Sequence, residues 1–120
     1  MIKEVARSFR FAFEGVLQGW REERNFRIHC VFAVFTIIFA FFLGFSIVKW
    51  SILLLTIGIV MGLELMNSSI ERVVDLLTEE YHPIAKKAKD FAAGSVFIFS
   101  IIAVIIGFLL FAGPIIEIVL

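Results

Sequence analysis

The stretch Trp50–Leu76, WSILLLTIGIVMGLELMNSSIERVVDL, decides what kind of molecule this is. Its first fourteen residues, Trp50 to Leu63, carry no charge, and then Glu64, Asn67, Glu71 and Asp75 follow at helical spacing. A helix that leaves hydrocarbon through a file of acids needs a reason for those acids. Placing a charge near the bilayer centre costs about 2–3 kcal/mol on insertion scales, and a Gln or Ser at position 64 would avoid it.

The run is one of three. Ile28 to Val48 has no formal charge apart from a titratable His29, and Phe91 to Ile116 has none at all. Each meets the roughly 20 residues that a membrane-crossing helix requires. The chain is 61% hydrophobic, against about 45–50% in soluble domains, and its mean hydropathy is +1.02. Three spans in 120 residues leave no room for a separate soluble domain. The expectation is one all-α integral membrane domain over 1–120, with a surface helix at 1–27, spans at 28–48, 50–72 and 91–116, and a cytoplasmic loop at 73–90.

Eleven basic and eleven acidic residues give no net charge, so nothing draws the chain to nucleic acid. Their distribution is uneven. Lys3, Arg7, Arg10, Arg21, Arg24 and Arg27 precede the first span, and Arg72, Lys86, Lys87 and Lys89 lie between the second and third. The link between the first two spans has only Lys49, and the tail has no base. The positive-inside rule then puts the N-terminus and the Arg72–Lys89 segment in the cytoplasm and the C-terminus outside. The long first apolar run and the mixed-charge residues before it argue against a cleaved signal peptide. Cys30 has no partner for an intrachain disulfide.

Residues 1–27 are patterned rather than greasy. Ile2, Val5, Phe9, Phe13, Val16, Leu17 and Trp20 recur at three- and four-residue steps, with Lys3, Arg7, Arg10, Glu14, Gln18 and Arg21 opposite. That pattern predicts an amphipathic helix lying in the interface, bases toward anionic headgroups, with a bend at Gly15 and Gly19. Trp20 and Trp50 read as interfacial anchors. Gly58 and Gly62 form a G-x-x-x-G, a weak signal of close helix packing. Pro83 should end any continuous helix between the last two spans. No phosphate-loop motif, metal-type Cys/His spacing or internal repeat is present.

On one helix, Glu64, Glu71 and Asp75 fall within about 40° of each other at 100° per residue, flanked by Asn67 and Ser68. Carboxylates beside an amide suit Mg²⁺, a hard cation that works alongside phosphates. A partly dry carboxylate also has the makings of a general base. Lys86, Lys87 and Lys89 could meet nucleotide phosphates. Metal, base and charge stabilisation are the parts of phosphoryl transfer, and the acceptor alcohol would come from the lipid side. A solvated helix end remains an alternative for Asp75, and a structural reading competes for Glu64 and Glu71 together.

"ELMNSSIERVVD" resembles the signature of the prokaryotic diacylglycerol kinase and undecaprenol kinase family, an E-x-x-N-S-x-x-E-x-x-x-D run leaving a span. "EYHPIAKKAKD" and "AKKAKDFAAGSV" are similar to the family's loop and the start of its third span, and the likeness covers essentially the whole chain. The resemblance implies a homotrimeric bacterial plasma-membrane kinase that uses Mg²⁺ and ATP on a membrane lipid alcohol, with sites shared between chains. It implies Glu64 as general base and Asn67 beside the reacting hydroxyl. Glu23, in "REERNFRIH", and Glu71 would hold the metal-bound nucleotide. Glu80, Tyr81 and His82 would contact the nucleotide, with Lys89 and Asp90 near its phosphates.

Bland readings stand beside these: His82 as an ordinary loop residue, His29 as an interface residue without a role, Asp90 as a cap on the third span, Lys89 as a positive-inside anchor. "ERNFRIH" and "EEYHPIAKKAKD" resemble the Gram-positive undecaprenol kinases more than the Gram-negative diacylglycerol kinases. Ala93 stands where the latter tend to have Ser, and Phe11 where they tend to have Tyr. Undecaprenol is therefore the favoured acceptor and diacylglycerol the alternative. A reading from another class makes the chain a non-catalytic subunit with Glu64 as an ion or proton site.

Overall fold

The computed structural model describes all 120 residues and contains four helices and no strand. They are α1 (Ile2–Glu22), α2 (Arg24–Phe42), α3 (Ile47–Leu77) and α4 (Pro83–Val119). The last three are long and apolar enough to cross a membrane. At 1.5 Å per residue, the 31 residues of α3 reach about 46 Å. The hydrocarbon core is only about 30 Å thick, so one end of α3 must project from it. Charge puts that end at Glu64 to Leu77.

Each junction has a local cause. Glu23 alone adopts an extended conformation between α1 and α2, and the guanidinium of Arg27 closes the gap by donating to the carbonyls of Trp20 and Arg21, both at 3.0 Å. Those carbonyls are among the four that any helix leaves unpaired at its C-terminus. Between α2 and α3 the turn is a Schellman motif. Gly44 takes φ +67°, a conformation that costs a side-chain-bearing residue. Its N–H donates to Phe41 O, and the Phe45 N–H donates to Ala40 O, the paired bonds that define the motif. Ser46 then caps α3 by accepting from the Lys49 N–H. Between α3 and α4 only 78–82 is non-helical. His82 Nδ1 accepts from the Ile84 N–H, and Pro83 stands at the first turn of α4, where its missing N–H is not needed.

The break expected at Pro83 is present, but most of the segment expected as a 73–90 loop is helical. Asp90 therefore caps nothing: it lies two turns inside α4 and pairs with Lys86. A second difference concerns the glycines. The helix α1 runs unbroken through Gly15 and Gly19, and Gly19 is a contact point instead. A Cβ there would stand 2.6 Å from Leu65 Cδ2 and 3.2 Å from Phe26 Cδ1, and Phe26 is 1% exposed. Gly19→Val should push α1 off α3 and cost about 1–3 kcal/mol. Gly15→Val, where a Cβ meets nothing within 4 Å, should cost less than half as much. Thermal unfolding of the two variants in one detergent checks this. Gly58 and Gly62 likewise meet nothing within 4 Å, so their expected close packing does not occur within the protomer.

α3 packs most extensively on α4. At the α2–α3 turn, Ala40, Phe45, Leu53 and Leu110 form a buried cluster with Trp50 and Phe111 against it. Lys49 lies 5.3 Å from the Phe45 ring centroid, its ammonium 3.5 Å from Leu110 O. Only twelve residues are buried, while Phe32, Phe39, Leu55, Phe97 and Phe108 are among many large apolar side chains left exposed. Isolated in water, such a surface would aggregate. It requires hydrocarbon or further protein around it.

Candidate active site

The projecting end of α3 brings side chains from α1, α2 and α4 to its polar stripe. Glu64 sits deepest and is 5% exposed. Its Oε1 lies 3.2 Å from Nε2 of His29 on α2, the one ion-pair contact between the two helices. One turn on, Asn67 Nδ2 donates to Glu71 Oε1 at 3.3 Å. Asn67 Oδ1 is buried and has no partner. An unpaired buried carbonyl costs about 1–3 kcal/mol, so a donor or a cation arriving at that point gains what the resting protein forgoes.

The next turn carries a fork. Arg72 Nη1 donates to Glu23 Oε1 at 2.6 Å and Nη2 to Glu22 Oε2 at 2.7 Å. Nη1 also reaches the Ser68 carbonyl at 3.3 Å. The planar guanidinium can bridge two carboxylates in this way where an ammonium cannot. It fastens the end of α1 to α3. Beside it a cleft of about 420 Å³ opens between the two helices, walled by Gln18, Gly19, Glu23, Ser68, Ser69 and Arg72 among others. Farther out, Lys89 on α4 donates to Asp75 Oδ1 at 2.6 Å, joining the two helices just before the loop.

Of the residues singled out in the sequence, Asn67 and Glu71 are in direct contact, and the buried Glu64 lies one turn below Asn67 and two below Glu71 on α3. Glu23 arrives through Arg72 rather than through Glu71. Lys89 and Asp90 face different partners, Asp75 and Lys86. Glu80 and Tyr81 are exposed on the loop, and the His82 ring serves as a helix cap.

Three participants are new. His29 and Arg72 engage the expected residues Glu64 and Glu23, and Glu22 joins through Arg72. A titratable residue inside an apolar span was the available signal for His29, but its partner lies on another helix. Nothing local distinguishes Glu22 from Glu23.

No three His, Cys, Asp or Glu side chains converge as a closed metal cage. Mg²⁺ does not demand one, since it is typically held by one or two carboxylates together with substrate phosphates. The oxygens available, from Glu71, Glu23 and the orphaned Asn67 carbonyl, are the hard donors that ion takes. The donor set fits.

An apolar cavity of about 360 Å³ lies between α2, α3 and α4. Its wall includes Phe32, Leu53, Val60, Val104 and His29. The buried acid and the cavity thus share one side chain.

Among known proteins, the sequence matches the family model described as prokaryotic diacylglycerol kinase over residues 10–111. It is 46% identical to an undecaprenol kinase of Bacillus subtilis over 88% of this chain and 85% of that one. It is 43% identical to a diacylglycerol kinase of Synechocystis, over 92% of this chain but 63% of that longer protein. A Haemophilus influenzae diacylglycerol kinase is 32% identical over 92% of this chain and 94% of its own length.

Proposed function

The chain belongs to the prokaryotic diacylglycerol kinase family, and from that premise we propose that it is a multi-pass bacterial membrane enzyme that transfers the γ-phosphoryl of ATP to undecaprenol. The observation that carries the reading is the buried Glu64, with Asn67 and Glu71 above it on the projecting end of α3. The site lies where a water-borne nucleotide and a membrane-borne alcohol can meet.

Glu64 accepts the proton of the lipid hydroxyl as its oxygen attacks the γ-phosphorus and the bond to ADP breaks. Asn67 orients that hydroxyl. Glu23 and Glu71 would hold Mg²⁺ on the nucleotide, and the chemistry the ion would supply there is neutralisation of charge on the phosphoryl oxygens. Lys89 and Asp90 sit near the phosphates, and Glu80, Tyr81 and His82 contact the rest of the nucleotide. The hydrocarbon chain of the acceptor lies toward the apolar cavity that His29 borders.

The charge asymmetry favours a cytoplasmic N-terminus and site with the C-terminus outside. The apolar and basic sides of α1 favour its lying along the membrane surface. A homotrimer with sites shared between neighbours accounts for the open Gly58–Gly62 face and for a protomer too thin to enclose two substrates. Undecaprenol is preferred to diacylglycerol on the "ERNFRIH" and "EEYHPIAKKAKD" segments and on the likeness to the Bacillus protein.

The test offers the purified protein Mg²⁺–ATP with undecaprenol and diacylglycerol in parallel. Transfer should go mainly to undecaprenol, by about tenfold or more in kcat/KM, a difference of about 1.4 kcal/mol in transition-state binding. Transfer mainly to diacylglycerol would keep the chemistry and change the acceptor. Transfer to neither would leave Glu64 as an ion site in a non-catalytic subunit.

A further inference from the structure

A carboxylate acting as a base must present one oxygen to its proton donor, and a misplacement of about 1 Å can cost 100-fold. Glu64 sits on a long side chain with a freely turning end. Its neighbours one turn away on α3 are Val60 and Ser68, both buried, and neither gives its carboxylate a side-chain hydrogen bond. One polar group does reach it. His29 Nε2 faces Oε1 at 3.2 Å, and no other side-chain hydrogen bond or ion pair joins α2 to α3.

From this geometry we infer that His29 is a positioning residue for the phosphoryl-acceptor's base: its Nε2–H holds Oε1 of Glu64 and leaves Oε2 to meet the lipid hydroxyl. The inference rests on Glu64 being that base. Three features place the imidazole well for the task. It comes from a different helix, so it fixes the carboxylate against the frame of the protein and not merely against its own backbone. Its side chain is 27% exposed where Glu64's is 7%, so the imidazole is the more open member of the pair. It also forms part of the wall of the apolar cavity, on the side from which the acceptor's chain would bring its alcohol. A histidine serving only to fill space there would do equally well as leucine. A hydrogen-bond donor would not.

The experiment uses full-length protein in detergent with undecaprenol and Mg²⁺–ATP, comparing His29→Leu with His29→Gln. The glutamine amide nitrogen stands near where Nε2 does and can donate to Oε1; leucine keeps bulk and donates nothing. His29→Leu should lower kcat by about 10–100-fold with KM for ATP and for undecaprenol each within about twofold. His29→Gln should recover kcat to within about fivefold of the parent. Thermal unfolding is measured on both, and the two variants should melt within a few degrees of each other. Equal loss in the two variants, no loss in either, or a loss confined to KM for undecaprenol would overturn the positioning role. Glu64→Gln is run alongside: if it keeps its activity, the base assignment itself fails, whatever position 29 does.

Discussion

Glu64→Gln should lower transfer to undecaprenol by about 10²–10⁴-fold in kcat, the usual worth of a positioned base, with Mg²⁺–ATP binding within about twofold of the parent. The amide keeps the size and the contact with His29 but cannot take a proton. A base acts in the chemical step, so its loss belongs in kcat and not in the affinity for the nucleotide. Burial sharpens the expectation. At 5% exposure, the carboxylate has little access to solvent. Stability offers a second readout: a buried carboxylate is costly, so the glutamine variant should unfold no lower than the parent. A weakened affinity for ATP with unchanged kcat would instead put Glu64 among the nucleotide contacts.

The sequence was most informative where one helix's own pattern decides the outcome. The Trp50–Leu63 run, the Glu64–Asp75 spacing and Pro83 each report on the segment that contains them, and three long apolar helices follow, the last of them begun by the proline. The Asn67–Glu71 contact is of the same kind, four residues apart on one face. What escaped was cross-helix register. Whether His29 meets Glu64 depends on the rotation of α2 against α3, set by Phe26 fitting under Gly19 and by the Schellman turn at Gly44. The start of α4 escaped for another reason. Residues 83–90 have too little apolar periodicity to announce a helix, yet a proline-led first turn and a Lys86–Asp90 pair favour one. Gly58 and Gly62 show the reverse error, a motif that meets no packing partner within the chain.

The second large effect separates two roles that Glu23 combines. Its carboxylate is held by Arg72 and is also the acid proposed to hold the metal on the nucleotide. Glu23→Gln should raise KM for ATP by about 10–100-fold at low Mg²⁺ if the metal role is correct, and excess Mg²⁺ should recover part of the loss. Glu71→Gln should behave alike. If Glu23 mattered only as a clamp, Arg72→Met would reproduce the defect, since it breaks the same link. The metal role predicts the opposite for Arg72→Met. Freed from the guanidinium, Glu23 would bind Mg²⁺–ATP as well as before or better. The cost should fall on stability alone and be small, because both ion pairs are partly exposed and exposed pairs are worth about 0–1 kcal/mol each. Binding of Mg²⁺–ATP to the three variants, titrated at two Mg²⁺ concentrations, decides it. Parallel losses in Glu23→Gln and Arg72→Met make the fork a structural clasp; divergent ones make Arg72 the cation that occupies a metal ligand until the nucleotide arrives.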